Sequence, residues 1–212
     1  MPVSMTPDSA LHSVMHVKPS IYSEMEDDRM IGKKNVVFGF LFLVLTAALG
    51  PYMVVKMLPD VGSAAMEKQE HVGKLQQIKT DGFELNMEKL TAEQIAMANT
   101  DGILALNKLY NAQQPVNSLK GGPHAHGNLE ALLNIVAGIA LCFIAVGRVF
   151  KQVISWVFIA GTVLHSGMLY LLNFGMGWAA KLLQLGPPLV LLGLVLIGIA
   201  AFIGFKGEVV RD

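Results

Sequence analysis

Four stretches of this chain are apolar over about 20 residues, the length a helix needs to cross a hydrocarbon core of about 30 Å. They cover 36–57, 129–149, 153–174 and 187–205. Charged residues make up only 15% of the chain, against about 25% in soluble domains, and the deficit falls in these stretches. The expected fold class is therefore all-α: an integral membrane bundle of four transmembrane helices.

The ends of the stretches are punctuated as helices should be. Gly186-Pro187-Pro188 opens the fourth, and proline is tolerated in a first helical turn. Gly50-Pro51 lies inside the first and predicts a kink near its far end. Small residues, among them Gly138, Gly193, Gly198 and Gly204, let membrane helices approach closely. The first stretch follows a polar segment of about 35 residues with no small-residue cleavage site behind it, so it reads as a retained anchor.

Lysines and arginines beside the spans set the expected orientation. Arg29, Lys33 and Lys34 precede the first span, Arg148 and Lys151 lie between the second and third, and Lys206 and Arg211 follow the fourth. Lys181 alone stands in the opposite short loop. The expected protein is multi-pass in the inner (plasma) membrane, with both termini cytoplasmic. Residues 1–35 read as a flexible cytoplasmic tail, 58–128 as an extracytoplasmic helical segment, and 206–212 as a second tail.

The 58–128 segment predicts a small helical cap between the first and second spans. Residues 64–79 continue a helix out of the first span. Thr91-Ala92-Glu93-Gln94 is a capping box opening a helix to about Asn99. Asp101-Gly102 breaks it, 103–110 forms another short helix, and Gln113-Gln114-Pro115 ends that one. Some 70 residues are too few for a large core, so the cap leans on the bundle or on a partner.

Several chemistries are excluded. Basic and acidic residues number 16 each, so bulk charge points to no nucleic-acid partner. Cys142 is the only cysteine, which rules out an internal disulfide, a cysteine-based metal centre and a covalent c-type haem. There is no Walker motif and no G-x-S-x-G. His12 and His16 have helical spacing but sit in the tail, and His71 reads as a surface residue of the cap.

The informative stretch is Gly121-Gly122-Pro123-His124-Ala125-His126-Gly127-Asn128, just before the second span. In extended backbone His124 and His126 share a side, and imidazoles suit copper, zinc and iron. Asn128 is placed to cap the helix. His126, Glu130 and Asn134 follow at i, i+4 and i+8 and form one polar stripe. An ionisable Glu130 inside hydrocarbon is a functional candidate by default. In the third span His165 is flanked by Ser166, Tyr170 and Asn173.

Depth arithmetic brings the two helices together. Asn134 lies roughly 8–10 Å below the outer surface and His165 roughly 12 Å below it. That pairs Asn134 with His165, Glu130 with Tyr170, and His126 with Asn173. His126 and His165 then differ by roughly 10 Å in depth, which opposes a haem ligated by both. Copper or zinc on His124, His126 and Glu130 needs less rearrangement. Asn134, Tyr170 and Asn173 would surround the site.

The run His124-Ala125-His126-Gly127-Asn128-Leu129, opening a membrane helix, resembles helix openings in the haem–copper oxidase subunit I superfamily and its small relatives. His165-Ser166-Gly167-Met168-Leu169-Tyr170 resembles another such helix. The likeness covers about 50 residues. It implies haem b or copper held by His126 and His165 near the outer face, in a respiratory, redox-associated protein. Subunit I has many more helices and ligand histidines, so no complete oxygen-reducing centre is implied. Two other readings stay open: a non-enzymatic accessory subunit or assembly factor among other membrane subunits, and a small proton- or ion-linked transporter using Glu130 and His165.

Overall fold

The structure, a computed structural model, describes residues 30–85, 87–210 and 212. The tail expectations for 1–29, with His12 and His16, and the role given to Arg211 lie outside these residues. The described chain is helical apart from one short ribbon. Helices α1 (Lys33–Ala47) and α2 (Leu49–Lys56) form one apolar rod, and α3 (Leu58–Thr80) continues it. Strands β1 (Glu84–Leu85) and β2 (Glu88–Lys89) pair antiparallel at the turn into α4 (Ala92–Leu119). A π-type turn over Lys120–His124 leads into α5 (Ala125–Leu141). Helix α6 (Arg148–Thr162) passes through a second π-type turn, Val163–Gly167, into α7 (Met168–Asn173). Short α8 (Ala179–Leu183) and α9 (Gly186–Gly204) complete the order.

Among the described residues, three helical runs are long and apolar enough to cross a membrane: Lys33–Lys56, Arg148–Asn173 and Ala179–Gly204. The fourth expected span is shorter. Helix α5 has 17 residues, about 25 Å at 1.5 Å per residue. It starts four residues before Leu129 and stops at Leu141, well short of Val149. Its exit is set by pairing, not by hydropathy. The Ala145 amide donates to the Gly204 carbonyl, the Lys206 amide donates to Phe143, and Ile144 bridges Phe205.

Apolar residues such as Leu141, Ile154 and Phe158 fill the core, but the surface is apolar too and several polar residues are buried. Leu41, Val44 and Phe202 face outward, while Asn35, Asn134, Ser155, Thr162 and Ser166 are buried. Outward apolar and inward polar residues are what a hydrocarbon surround demands, because only neighbouring helices can satisfy the polar groups. Helix α1 packs most closely on α5, and α9 on α6. At the α1–α5 crossing the backbones nearly touch. A Cβ on Gly138 would lie 2.6 Å from the Gly32 oxygen and 3.0 Å from the Val36 nitrogen.

Beside the predicted kink the helical pattern is interrupted at one residue, Ala48, which keeps helical φ and ψ of −61° and −21°. Regular helix ends at Ala47 and resumes at Leu49, where Pro51 has no N–H for the carbonyl four residues back. The cap differs from expectation in length. Helices α3 and α4 form one long hairpin, and α4 runs unbroken for 28 residues with Pro115 inside it. Gly102 does not break α4. It is buried, and a Cβ there would lie 2.6 Å from Leu75 Cδ1, so the glycine admits the neighbouring helix. The expected capping box is formed: Thr91 Oγ1 accepts from the Gln94 amide at 3.2 Å, and the Gln94 side chain accepts from the Thr91 amide at 2.8 Å. Thr91→Ala is expected to cost α4 about 1 kcal/mol. Hydrogen exchange should then speed up in the first turn of α4 and stay unchanged in α5 and α6.

Candidate functional site

Two helices supply the site. His126 and Glu130 stand one turn apart on α5, and His165 comes from the π-type turn that follows α6. One extra residue in a helical turn re-aims the side chains on either side of it, and here it turns His165 and Ser166 together onto Glu130. The Glu130 carboxylate is 3% exposed. One of its oxygens is hydrogen-bonded to His165 Nδ1, and the other accepts from Ser166 Oγ at 2.7 Å. The His126 and His165 rings lie 4.8 Å apart, tilted by 54°. One donor atom each from His126, Glu130 and His165 lies within 4.8 Å of the others. His126 is exposed and forms the mouth, while Glu130 closes the inner end.

Glu130 bonds the Nδ1 edge of His165, so an ion held by both residues would take the place of the hydrogen between them. A carboxylate–imidazole contact of this kind orients ligand histidines and raises their basicity. The backbone of α9 holds the other side of the residue: a Cβ on Gly186 would stand 2.5 Å from His165 Cα.

Beneath the site lies a closed layer of amides and hydroxyls. Asn134 Nδ2 donates to the Glu130 carbonyl at 3.0 Å and to Thr162 Oγ1 at 2.8 Å. Asn35 Nδ2 donates to Asn134 Oδ1 at 3.1 Å and to the Ser155 carbonyl at 3.0 Å. Ser155 Oγ donates to Asn35 Oδ1. Further along, Lys151 and Asp212 form a buried ion pair. Lys151, Ser155, Thr162 and Ser166 follow one another at spacings of 4, 7 and 4, a helical stripe visible in the sequence that went unused in the sequence reading. Asn35 and Asp212 carry no comparable signal, because only the tertiary fold brings them here.

Several expected placements are corrected. His124 and His126 are not in extended backbone and do not share a side. They lie in consecutive helical turns, and His124 Nδ1 donates to the Thr46 carbonyl at 2.9 Å, away from the cluster. Asn128 does not cap α5. It lies inside the helix and accepts from Thr46 Oγ1. The helices are offset by about one turn from the predicted register: Glu130 meets His165, and Asn134 meets Thr162. The 10 Å separation of His126 and His165 therefore does not exist. Asn173 accepts from Ser118 Oγ at 2.6 Å, outside the cluster. Tyr170 packs edge-on against Phe42, and its buried hydroxyl lies by Thr46 without a hydrogen bond of good geometry. Tyr170→Phe is therefore expected to be neutral or slightly stabilising, because it removes an unsatisfied polar atom. A clear fall in the melting temperature in detergent would show that the hydroxyl is in fact bonded.

The donor set separates the possible ligands. Two axial imidazoles on a haem iron need their nitrogens about 4 Å apart across the porphyrin plane, at about 2.0 Å per metal–nitrogen bond. Rings 4.8 Å apart and tilted by 54° leave no room for a porphyrin between them, so a haem ligated by both His126 and His165 does not fit. A single small ion does fit. Two imidazoles and a carboxylate are a first-row metal set with a position left open. Comparison of the chain with protein-family models, with curated proteins and with solved structures gives no match.

Proposed function

We propose that the chain is a four-span membrane protein that holds one first-row transition metal ion, copper or zinc, on His126, Glu130 and His165. The single observation behind this is the convergence of two imidazoles on one buried carboxylate within 4.8 Å. An acid in such surroundings requires a cationic or hydrogen-bonding partner. Helix α5 is the fourth span: Ala131, Asn134 and Gly138 face its neighbours, Leu132, Val136 and Ile139 face outward, and interfacial turns extend it at both ends. The basic residues Lys33, Lys34, Arg148 and Lys206 share one end and support a cytoplasmic location for it. The α3–α4 hairpin is then the extracytoplasmic cap, and the metal sits beneath the outer headgroups. Bound copper would supply a one-electron couple, which is the redox-associated, respiratory-type role implied by the oxidase-like helix openings. The protein's own residues orient His165 through Glu130, seal the inner side with Asn134, and leave His126 as the point of entry.

One observation favours a second reading. Both Glu130 oxygens already have partners, His165 and Ser166, and the amide layer is complete. The same cluster can lock α5 to α6 with no ion, as in a non-enzymatic accessory subunit or assembly factor. The hairpin, with Met66, Ile103 and Tyr110 exposed, would then dock other membrane subunits. Proton-linked transport has less support, because the Asn35–Asn134 layer holds no titratable group.

Metal analysis of detergent-purified protein, after dialysis against copper and then zinc, separates the readings. The expected result is about one ion per chain, lost in His126→Ala and His165→Ala and kept in His124→Ala. A metal-free wild type would leave the accessory reading. An absorption spectrum should show no Soret band dependent on both histidines.

A further inference from the structure

At the basic end a groove of about 600 Å³ runs between α1 and α6. Its walls differ along its length. Lys33 and Lys34, in the first turn of α1, and Arg148, the first residue of α6, line one end. Val37, Phe38 and Leu41 line the rest. Val37 and Leu41 are one turn apart and 50% and 69% exposed, so the trough faces the surroundings and not the bundle interior. From Lys34 to Leu41 is about 10 Å along the helix.

Lys34 is held in place by the wall it stands on. Lys34 Nζ donates to Gln152 and lies 4.3 Å over the Trp156 ring. Among the described residues, Asp212 lies near this end and is engaged by Lys151 and by the Ile31 amide, and Arg148 has an interaction of its own. The first turns of α1 and α6 contain no acidic residue, so both helix dipoles add to the positive field there.

We infer that this groove binds one anionic phospholipid, its phosphodiester among Lys33, Lys34 and Arg148 and an acyl chain along Val37, Phe38 and Leu41. A basic pocket between spans on the cytoplasmic side is the arrangement that selects acidic headgroups. A soluble phosphate compound would leave the apolar trough uncovered. A zwitterionic lipid would bring its own cation against Lys33 and Lys34. The chain's own acidic stretch, Glu24 to Asp28, matches the charge, but its backbone amides would lie unpaired against the trough at hydrocarbon depth. The inference rests on the membrane reading and not on the metal.

The test uses the full chain in nanodiscs of phosphatidylcholine containing one-fifth phosphatidylglycerol, released into detergent and weighed by native mass spectrometry. One phosphatidylglycerol per chain should be retained, and no phosphatidylcholine. K33Q/K34Q/R148Q should weaken retention by about tenfold or more. V37W/L41W, which fills the trough and keeps the cations, should also lose the lipid, while Lys206→Gln at the same end should keep it. Millimolar inorganic phosphate should not displace it. Equal retention of phosphatidylcholine, an unaffected triple variant or displacement by phosphate would overturn the inference. So would a gain in retention when Glu24, Glu26, Asp27 and Asp28 are neutralised, which would make the acidic stretch the resident. A chain that requires detergent yet carries no acidic lipid would sink this inference alone. A chain that stays in solution without detergent would sink the membrane reading beneath it.

Discussion

Glu130→Ala is expected to bring metal content close to zero and to destabilise the protein by about 3–5 kcal/mol, the cost of removing one partner from a buried pair. The carboxylate is the only acid in the cluster. Its removal leaves Ser166 Oγ without its acceptor and His165 Nδ1 without its partner. No water from lipid replaces them. Glu130→Gln keeps the volume and one acceptor, so it should lose the metal with a much smaller loss of stability. The two variants therefore divide ligand chemistry from helix locking. Reversible unfolding in detergent, read beside metal content, gives both values. An alanine variant as stable as wild type would mean that the carboxylate is solvated and the site is not enclosed.

Gly186→Leu should do comparable damage without touching a ligand. The start of α9 lies directly against the backbone of His165, with no space for even one carbon. A leucine must push α9 and the π-type turn apart. Overpacking of this kind costs about 1–3 kcal/mol, and the displacement falls on the residue that links Glu130 to His126. Metal affinity should fall at least as far as in His165→Ala, while the α3–α4 hairpin keeps its exchange protection. Gly198→Leu is the matched control, because a side chain there meets nothing within 4 Å. If Gly186→Leu binds metal as wild type does, His165 is not positioned by α9.

Helix positions were largely legible in the residues. The first, third and fourth apolar runs match helices to within a few residues, and the Thr91 capping box opens α4 as read. What failed was register. Sliding one apolar helix along another changes the buried hydrocarbon area very little, so composition marks no preferred depth. Depth is set by where each helix ends, and those ends are tertiary. Helix α5 stops at Leu141 because residues 143–145 pair with residues 204–206 at the end of α9. Helix α6 begins at Arg148, five residues before the apolar run. Together with the π-type turn, these shifts move His165 by about one turn, from Asn134 to Glu130. Gly102 and Pro115 misled for a related reason: each looks like a breaker in isolation, and each is accommodated by a neighbour or by helix length.

Apolar runs and isolated polar residues pointed by themselves to four apolar helices, three of which are long and apolar enough to cross a membrane among the described residues, and to His124, His126, Glu130 and His165 as the chemically distinctive groups. Only the tertiary structure decided that His126, Glu130 and His165 meet, that His124 turns away to Thr46, and that Asn35 and Asn134 seal the layer beneath. The reason is physical. Hydropathy is a property of each segment alone, whereas a shared site depends on the axial offset between segments, and that offset is set by glycine contacts and end pairings that no single segment contains.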